Sequence, residues 1–247
     1  VKGAGSCFGS GWDIMHLGPD TVGFTRDPKA PKPTLRKSLL MEREMCMDVL
    51  GPDAGSPFSR FCKPCIAQVH SYCYGWHFMV CASADVIIAS EDALFTHPAF
   101  RYISETWPVM HWVSQMGYRR FAEMMLTGRA FTAEEMYECG FVSHVVPRDR
   151  LEEETEELAE VIALQPYELL MSDKHFLELI RESLIPSGTS RIACIGHLLS
   201  THMRVDPGDF AVLKETTRKG PKGAIDERER RYPPKYRLSH SGRAAKE

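Results

Sequence analysis

KPCIAQVHSYCYGWHFMVCASADVIIASEDALFTHPAF, residues 63–100, holds two short β-rich runs on either side of a glycine turn and an apolar, helix-like segment. Cys65 to Val69 (CIAQV) and Asp85 to Ser90 (DVIIAS) read as buried strands, and Gly75 marks the turn from which the helix starts. Strand, turn, helix and strand within about thirty residues make a βαβ-like unit. Backbone N–H groups at such a helix start point outward and can receive an anion or a developing oxyanion. The same pattern also serves as a plain α/β connection.

Upstream, GAGSCFGSGWDI (residues 3–14) places Gly3, Gly5, Gly9 and Gly11 where backbone must turn tightly or approach a ligand. Gly18 to Pro33 is dense in Pro, Gly and Asp and reads as an irregular excursion, after which Thr34 caps a helix through Leu50. Downstream, Gly117 to Gly128 is amphipathic, and Thr132 with Glu135 forms a capping box for a helix that Gly140 closes. FVSHVVP (residues 141–147) is a strand, and Leu151 to Ala163 is a helix with one charged face. Helices continue through Glu182 and again from Ser190 to Met203, whereas the tail with Pro221, Pro233 and Pro234 is expected to be extended or frayed.

A chain of 247 residues with 43% hydrophobic and 26% charged residues can bury one substantial core. No apolar run approaches the roughly 20 residues of a membrane span. VKGAGSCFGS has neither a basic segment nor a long apolar one, so the expected location is cytoplasmic and the eight cysteines are expected to be reduced. Cys62 and Cys65 form a single C-x-x-C, read as buried thiols because no second ligand pair has matching spacing. A net charge of -3 argues against nucleic acid as a partner. The charge is uneven, since Arg218 to Glu247 carries +6 and the remainder -9. Such a tail can meet a phosphate or a neighbouring subunit's acidic face, or can simply be a solvated run.

Taken in order, residues 3–14, residues 63–100 and LTGRAFTAEEMYECGFVSHVVP (residues 126–147) resemble the crotonase (enoyl-CoA hydratase/isomerase) superfamily, with a span from Gly3 to about Ala163. The resemblance implies an α/β fold with a ββα superhelix core and C-terminal trimerisation helices. It divides the chain into a core at 1–165, a helical trimerisation region at 166–217 and a basic, Pro-containing tail at 218–247. The family carries further strands and a helix ahead of the Gly-rich loop, while here Val1 lies almost on it. The resemblance thus leads to the expectation of either a truncated numbering of a longer protein or an incomplete sheet that needs a partner.

The resemblance also implies chemistry: two backbone N–H groups hold a thioester oxygen as it becomes an enolate, an arrangement that can contribute several kcal/mol in a dry site. The matching positions are Trp12, after Gly11, and Trp76, after Gly75; both indoles shape the pocket or else pack in the core. Two glutamates activate water in the family's hydratases. Met79 and Ala99 stand at the matching positions, and neither can move a proton, so ordinary hydration of an enoyl-CoA is not expected. His77, His97, Tyr102, Glu105 and His111 lie close by in sequence. The expected acid/base pair is His97 with Glu105, with His111 as substitute, and Gly11, Gly75, His77, Met79, Ala99 and Tyr102 are expected to line the substrate. Asp13 and Asp85 read as structural braces. Lys214, Lys222 and Arg228 are candidates for a coenzyme A phosphate. No bound cofactor or metal is expected; coenzyme A enters as the substrate's carrier, and the chain is expected to form a homotrimer or a dimer of trimers. Three functions follow: an acyl-CoA enzyme doing isomerisation, C–C cleavage or variant hydration; a cofactor-free hydrolase of a cyclic β-diketone; or a catalytically silent binding subunit.

Overall fold

The computed structural model describes residues 1–11, 61–101, 109–184 and 208–244. The readings of a loop at 18–33 and of helices at 34–50 and 190–203 lie outside the described residues, as does Asp13.

Strands β1 (Ile66–Val69) and β2 (Tyr72–Tyr74) are followed by helix α1 (Trp76–Ala82), strands β3 (Val86–Ser90) and β4 (Leu94–Thr96), and a 3-10 turn at Pro98–Arg101. Successive strands belong to different sheets. β1 pairs in parallel with β3, from Ile66 opposite Val86 to Val69 opposite Ala89, and β3 pairs in parallel with β6 (His144–Val146). The second sheet has the order β2, β4, β5 (Phe131–Thr132), with β2 parallel and β5 antiparallel to β4. His70 and Ser71 carry the chain from one sheet to the other, and Ser71 takes a left-handed φ of 54° to do so. The expected βαβ unit is thus a strand–strand–helix staircase that adds one strand to each sheet at every step.

Residues 1–9 run beside the first strand of both sheets. Lys2 bridges Gln68 and Gly9 bridges Cys73, both in parallel. Phe8 N–H donates to His70 O (2.9 Å), Gly9 N–H to Tyr72 O (2.8 Å) and Tyr74 N–H to Gly9 O (2.9 Å). The Gly-rich loop is therefore anchored on the strand that leads into Gly75.

Between the sheets and the helices lies an aromatic core. Phe78 of α1 stacks on Trp112 at 4.8 Å and meets Phe95 and Phe141 at 6.3 and 5.2 Å. Trp112 belongs to helix α2 (Val109–Met116), followed by α3 (Tyr118–Thr127). Gly117 and Gly128, with φ of 77° and 59°, bound α3, so the amphipathic stretch starts where expected. Rings of this size, fully buried, fix α1 more firmly than its seven residues could alone. Helix α4 (Ala133–Glu138) has the full capping box, with Thr132 Oγ1 accepting from Glu135 N–H and Glu135 accepting from Thr132 N–H. Helix α5 (Leu151–Ala163) matches its expected bounds, and α6 runs from Tyr167 to Leu184.

The tail corrects the expectation of an extended or frayed segment. Val212–Arg230 is a helix, α7, kinked at Gly220 (φ 75°, ψ 165°), and a short helix α8 follows at His240–Ala244. The boundary between 217 and 218 falls inside α7. Arg101, its side chain 1% exposed, clasps this segment: it pairs with Glu229 at 3.0 Å, donates to Tyr236 O and lies 3.7 Å over the Tyr232 ring. Tyr74 Oη donates to Leu238 O at 2.6 Å, so the tail lies on the sheet formed by β2, β4 and β5. Among the described residues, no helix is long and apolar enough to cross a membrane.

Candidate active site

Gly75 sits at φ 59° and ψ -125° directly before α1, a conformation in which an L side chain is strained. Its N–H donates to Thr96 O at 3.0 Å and its carbonyl accepts from Phe78 and Met79 at 3.1 and 3.3 Å. Trp76 is thereby the first helical residue, where N–H groups point out along the helix axis and the dipole favours negative charge. Trp76 is 41% exposed and is not among the buried core residues.

The Gly-rich loop arrives at the same spot. Gly11 has φ 100°, and a Cβ on it would lie 3.3 Å from Tyr74 O and 3.5 Å from Gly75 Cα. A Cβ on Gly75 would lie 3.2 Å from Gly11 Cα. The two glycine turns thus touch backbone to backbone.

His77 holds that contact from the side. Gly11 N–H donates to His77 Nδ1 at 3.1 Å, which requires Nδ1 to be unprotonated and puts the proton of the neutral ring on Nε2. The ring lies on Gly9, where any Cβ would fall 2.1 Å from His77 Cγ, and Phe8 meets it edge-on at 6.3 Å. Burial pushes the His77 pKa below its ordinary value, favouring this neutral form.

Met79 and Ala99 are buried, 3% and 7% exposed, and both are apolar. His97 begins the 3-10 turn by accepting from Ala99 N–H through Nδ1 at 3.2 Å, and its ring contacts Phe100 and Trp112 at 5.3 and 5.5 Å. His97 therefore carries its proton on Nε2 in its neutral form. His111 lies one residue before Trp112 on α2. Its pKa is lowered by burial and by Arg181, and Glu178 opposes this. The charges beside it thus belong to the network around Asp85, not to the glycine turns.

That network surrounds Lys174, whose side chain is 1% exposed and lies 2.7 Å from Asp85 and 2.9 Å from Glu178. Arg181 pairs with the same two carboxylates at 3.4 and 3.3 Å, and Asp85 also accepts from Cys65 N–H at 2.7 Å. Asp85 is thus the brace expected of it. The spacing Lys174, Glu178, Arg181 on one helical face was the signal for this network, whereas nothing in the sequence signalled the Gly11–His77 bond.

Trp12, Tyr102 and Glu105 lie outside the described residues. Lys214 and Lys222 are exposed, while Arg228 is buried with its guanidinium on Glu229 at 3.0 Å. Cys62 and Cys65 are free thiols, and among the described residues no group of His, Cys, Asp and Glu could hold a metal ion.

Comparison with known proteins bears on the family and the fold. The family model for enoyl-CoA hydratase/isomerase matches residues 57–201, more than half of the chain. Mevalonyl-coenzyme A hydratase sidH of Aspergillus fumigatus is 35% identical over 114 residues, 44% of this chain and 42% of that protein. Carnitinyl-CoA dehydratase of Salmonella typhi is 33% identical over 100 residues, 40% of this chain and 38% of that protein. The match thus spans about two fifths of these relatives' length. Among solved structures, an enoyl-CoA hydratase/isomerase from Xanthobacter autotrophicus Py2 superposes with a TM-score of 0.70 at 25% identity, covering 94% of this chain and 80% of its own. A probable enoyl-CoA hydratase from Mycobacterium thermoresistibile gives 0.64 at 29% identity, covering 79% and 72%.

Proposed function

Because the chain belongs to the enoyl-CoA hydratase/isomerase family, we propose that it binds an acyl-CoA thioester and stabilises its enolate with the backbone N–H groups of Trp12 and Trp76. The observation that supports this reading is the close backbone contact of Gly11 with Gly75 at the start of α1. Fixed donors aimed at developing charge act without reorganising, and such a group can contribute several kcal/mol.

The reaction is isomerisation, C–C bond cleavage or another variant, and not direct hydration, because Met79 and Ala99 cannot activate water. His97 with Glu105 is the acid/base pair that carries the proton transfer, with His111 as the substitute. Gly11, Gly75, His77, Met79, Ala99 and Tyr102 line the acyl group, and Lys214 and Lys222 meet the coenzyme A phosphate. Coenzyme A is the carrier, no further cofactor takes part, and copies of the chain assemble as a trimer or a dimer of trimers. The second reading, a binding subunit without turnover, is supported by the same apolar positions at Met79 and Ala99.

Calorimetric titration with acetoacetyl-CoA, an enolate-like ligand, tests the site. Micromolar binding, about -8 kcal/mol, is expected, together with no hydration of a short enoyl-CoA above background. Absence of binding would favour the cyclic β-diketone hydrolase or a silent subunit, and measurable hydration would overturn the assignment against direct hydration. If ligand binds, loss of turnover in His97→Ala and Glu105→Ala separates enzyme from binding subunit.

A further inference from the structure

Away from the glycine turns, the edge strand β6 borders a groove of about 460 Å³. Helix α4 contributes Glu134 and Tyr137 to it, α5 contributes Glu154, Glu157, Leu158 and Val161, and the two sheet strands β3 and β6 contribute Ile88 and residues 144–146. Neither glycine turn nor α1 lines it. We infer that this groove is a docking surface for an extended, cationic peptide segment of a partner protein, one that sets an apolar side chain between two basic ones.

Charge complementarity selects the cations. Three carboxylates line the groove and no Lys or Arg does. Glu154 is paired with Arg150 at 2.6 Å, whereas Glu134 and Glu157 have no ion pair among the described residues. Glu154 and Glu157 stand three apart on α5, where like charges are neighbours and repel, so a cation placed between them relieves that repulsion. The same field turns away phosphates, which sets the groove apart from any coenzyme A, nucleic-acid or anionic-lipid site. The apolar part of the lining selects the side chain between the cations. Tyr137 and Val161 are 50% and 54% exposed, and Leu164, one turn beyond Val161, is 82% exposed, so the apolar surface runs on out of the groove. A polyamine would answer the carboxylates and leave this strip uncovered; an apolar helix would cover the strip and leave the carboxylates unpaired. An extended segment does both. Among the described residues β6 pairs with β3 alone, which leaves its outer side for such a segment to lie along. Alternate side chains of an extended segment share one face, so a cation, an apolar residue and a second cation at every second position all meet the groove.

The test needs no acyl-CoA. The 247-residue chain is titrated with the terminally blocked pentapeptide Lys-Ser-Leu-Ser-Lys, and binding is followed through the methyl resonances of Ile88, Val145, Leu158 and Val161, which line the groove. Saturable shifts are expected with a Kd of about 1 mM or tighter, weakening as salt is raised, and none with Glu-Ser-Leu-Ser-Glu. The paired change Glu134→Gln and Glu157→Gln is expected to weaken binding about fivefold or more, and Val161→Ser about threefold. All three side chains are exposed, so the circular dichroism of both variants should match wild type. Absence of saturable shifts at these methyls up to about 10 mM peptide, or equal affinity in wild type and the Gln pair, would overturn the inference. Equal binding of Lys-Ser-Ser-Ser-Lys would replace the peptide by a simple polycation, and a lower sedimentation mass for the Gln pair than for wild type would assign the groove to a second copy of this chain; either result would also overturn it.

Discussion

Lys174 is a full positive charge in a place that water does not reach, and only its partners make that tolerable. Burial alone would lower its pKa, but hydrogen bonds to Asp85 and Glu178 outweigh burial and raise it above 10.5. A raised folded-state pKa contributes stability that is complete below the unfolded value and is lost as pH rises through the folded one. The contribution of the Lys174 charge is therefore present at neutral pH and is lost in strong alkali, above about 10.5. Replacing Lys174 by Met leaves the Asp85 carboxylate with Arg181 at 3.4 Å and Cys65 N–H at 2.7 Å, too little to offset its burial. A loss of about 3 kcal/mol is expected in urea unfolding, with the Lys174→Met, Asp85→Asn pair less destabilised than the sum of the two single changes. Additive single changes would mean that the two groups do not interact.

A single helix end shows why some elements could be read from sequence and others could not. The capping box of α4 is written in Thr132 and Glu135, three residues apart, and both reciprocal bonds are formed. Thr132→Ala should cost about 1 kcal/mol in thermal or urea unfolding. Burial would raise the Glu135 carboxyl, but bonds from Arg129 and Thr132 outweigh it and lower it below 4.5. With its folded pKa depressed, its contribution is present above about 4.5 and is lost as pH falls through the folded value, so a Glu135→Gln variant should lose less stability than wild type on acidification. Likewise α5 was legible from its apolar spacing, and the glycines at 11 and 75 from composition alone. The tail was not. Gly220 and Pro221 break the helical pattern, yet the left-handed φ of Gly220 lets two helical segments join across them, and the Arg101 clasp that holds the result links residues more than a hundred apart. The site failed to be legible for the same reason: Gly11 and His77 are 66 residues apart, and no local pattern announces a bond between them.

At the scale of the molecule, α6 has two faces of opposite character. Lys174, Glu178 and Arg181 turn inward to Asp85, while Leu169, Phe176, Leu179 and Ile180 lie on the far side and are exposed, Phe176 to 66% and Leu179 to 62%. A stripe of four large apolar side chains on one helix face exceeds the scattered apolar exposure usual for a monomer. Burying each of them fully contributes about 1.5–3 kcal/mol, against an association cost of at least 4 kcal/mol. The stripe can thus support assembly without much surplus, and a modest change should abolish it. The proposed trimer accordingly predicts a sedimentation mass of three or six chains for the wild type, and a shift to one chain when Phe176 and Ile180 are both replaced by Glu, with the circular dichroism of the helices retained. A wild-type protein that sediments as one chain at micromolar concentration would remove the trimer from the proposal and leave the stripe to be covered by something other than a second copy; an oligomer that survives the double change would place its contacts elsewhere on the surface.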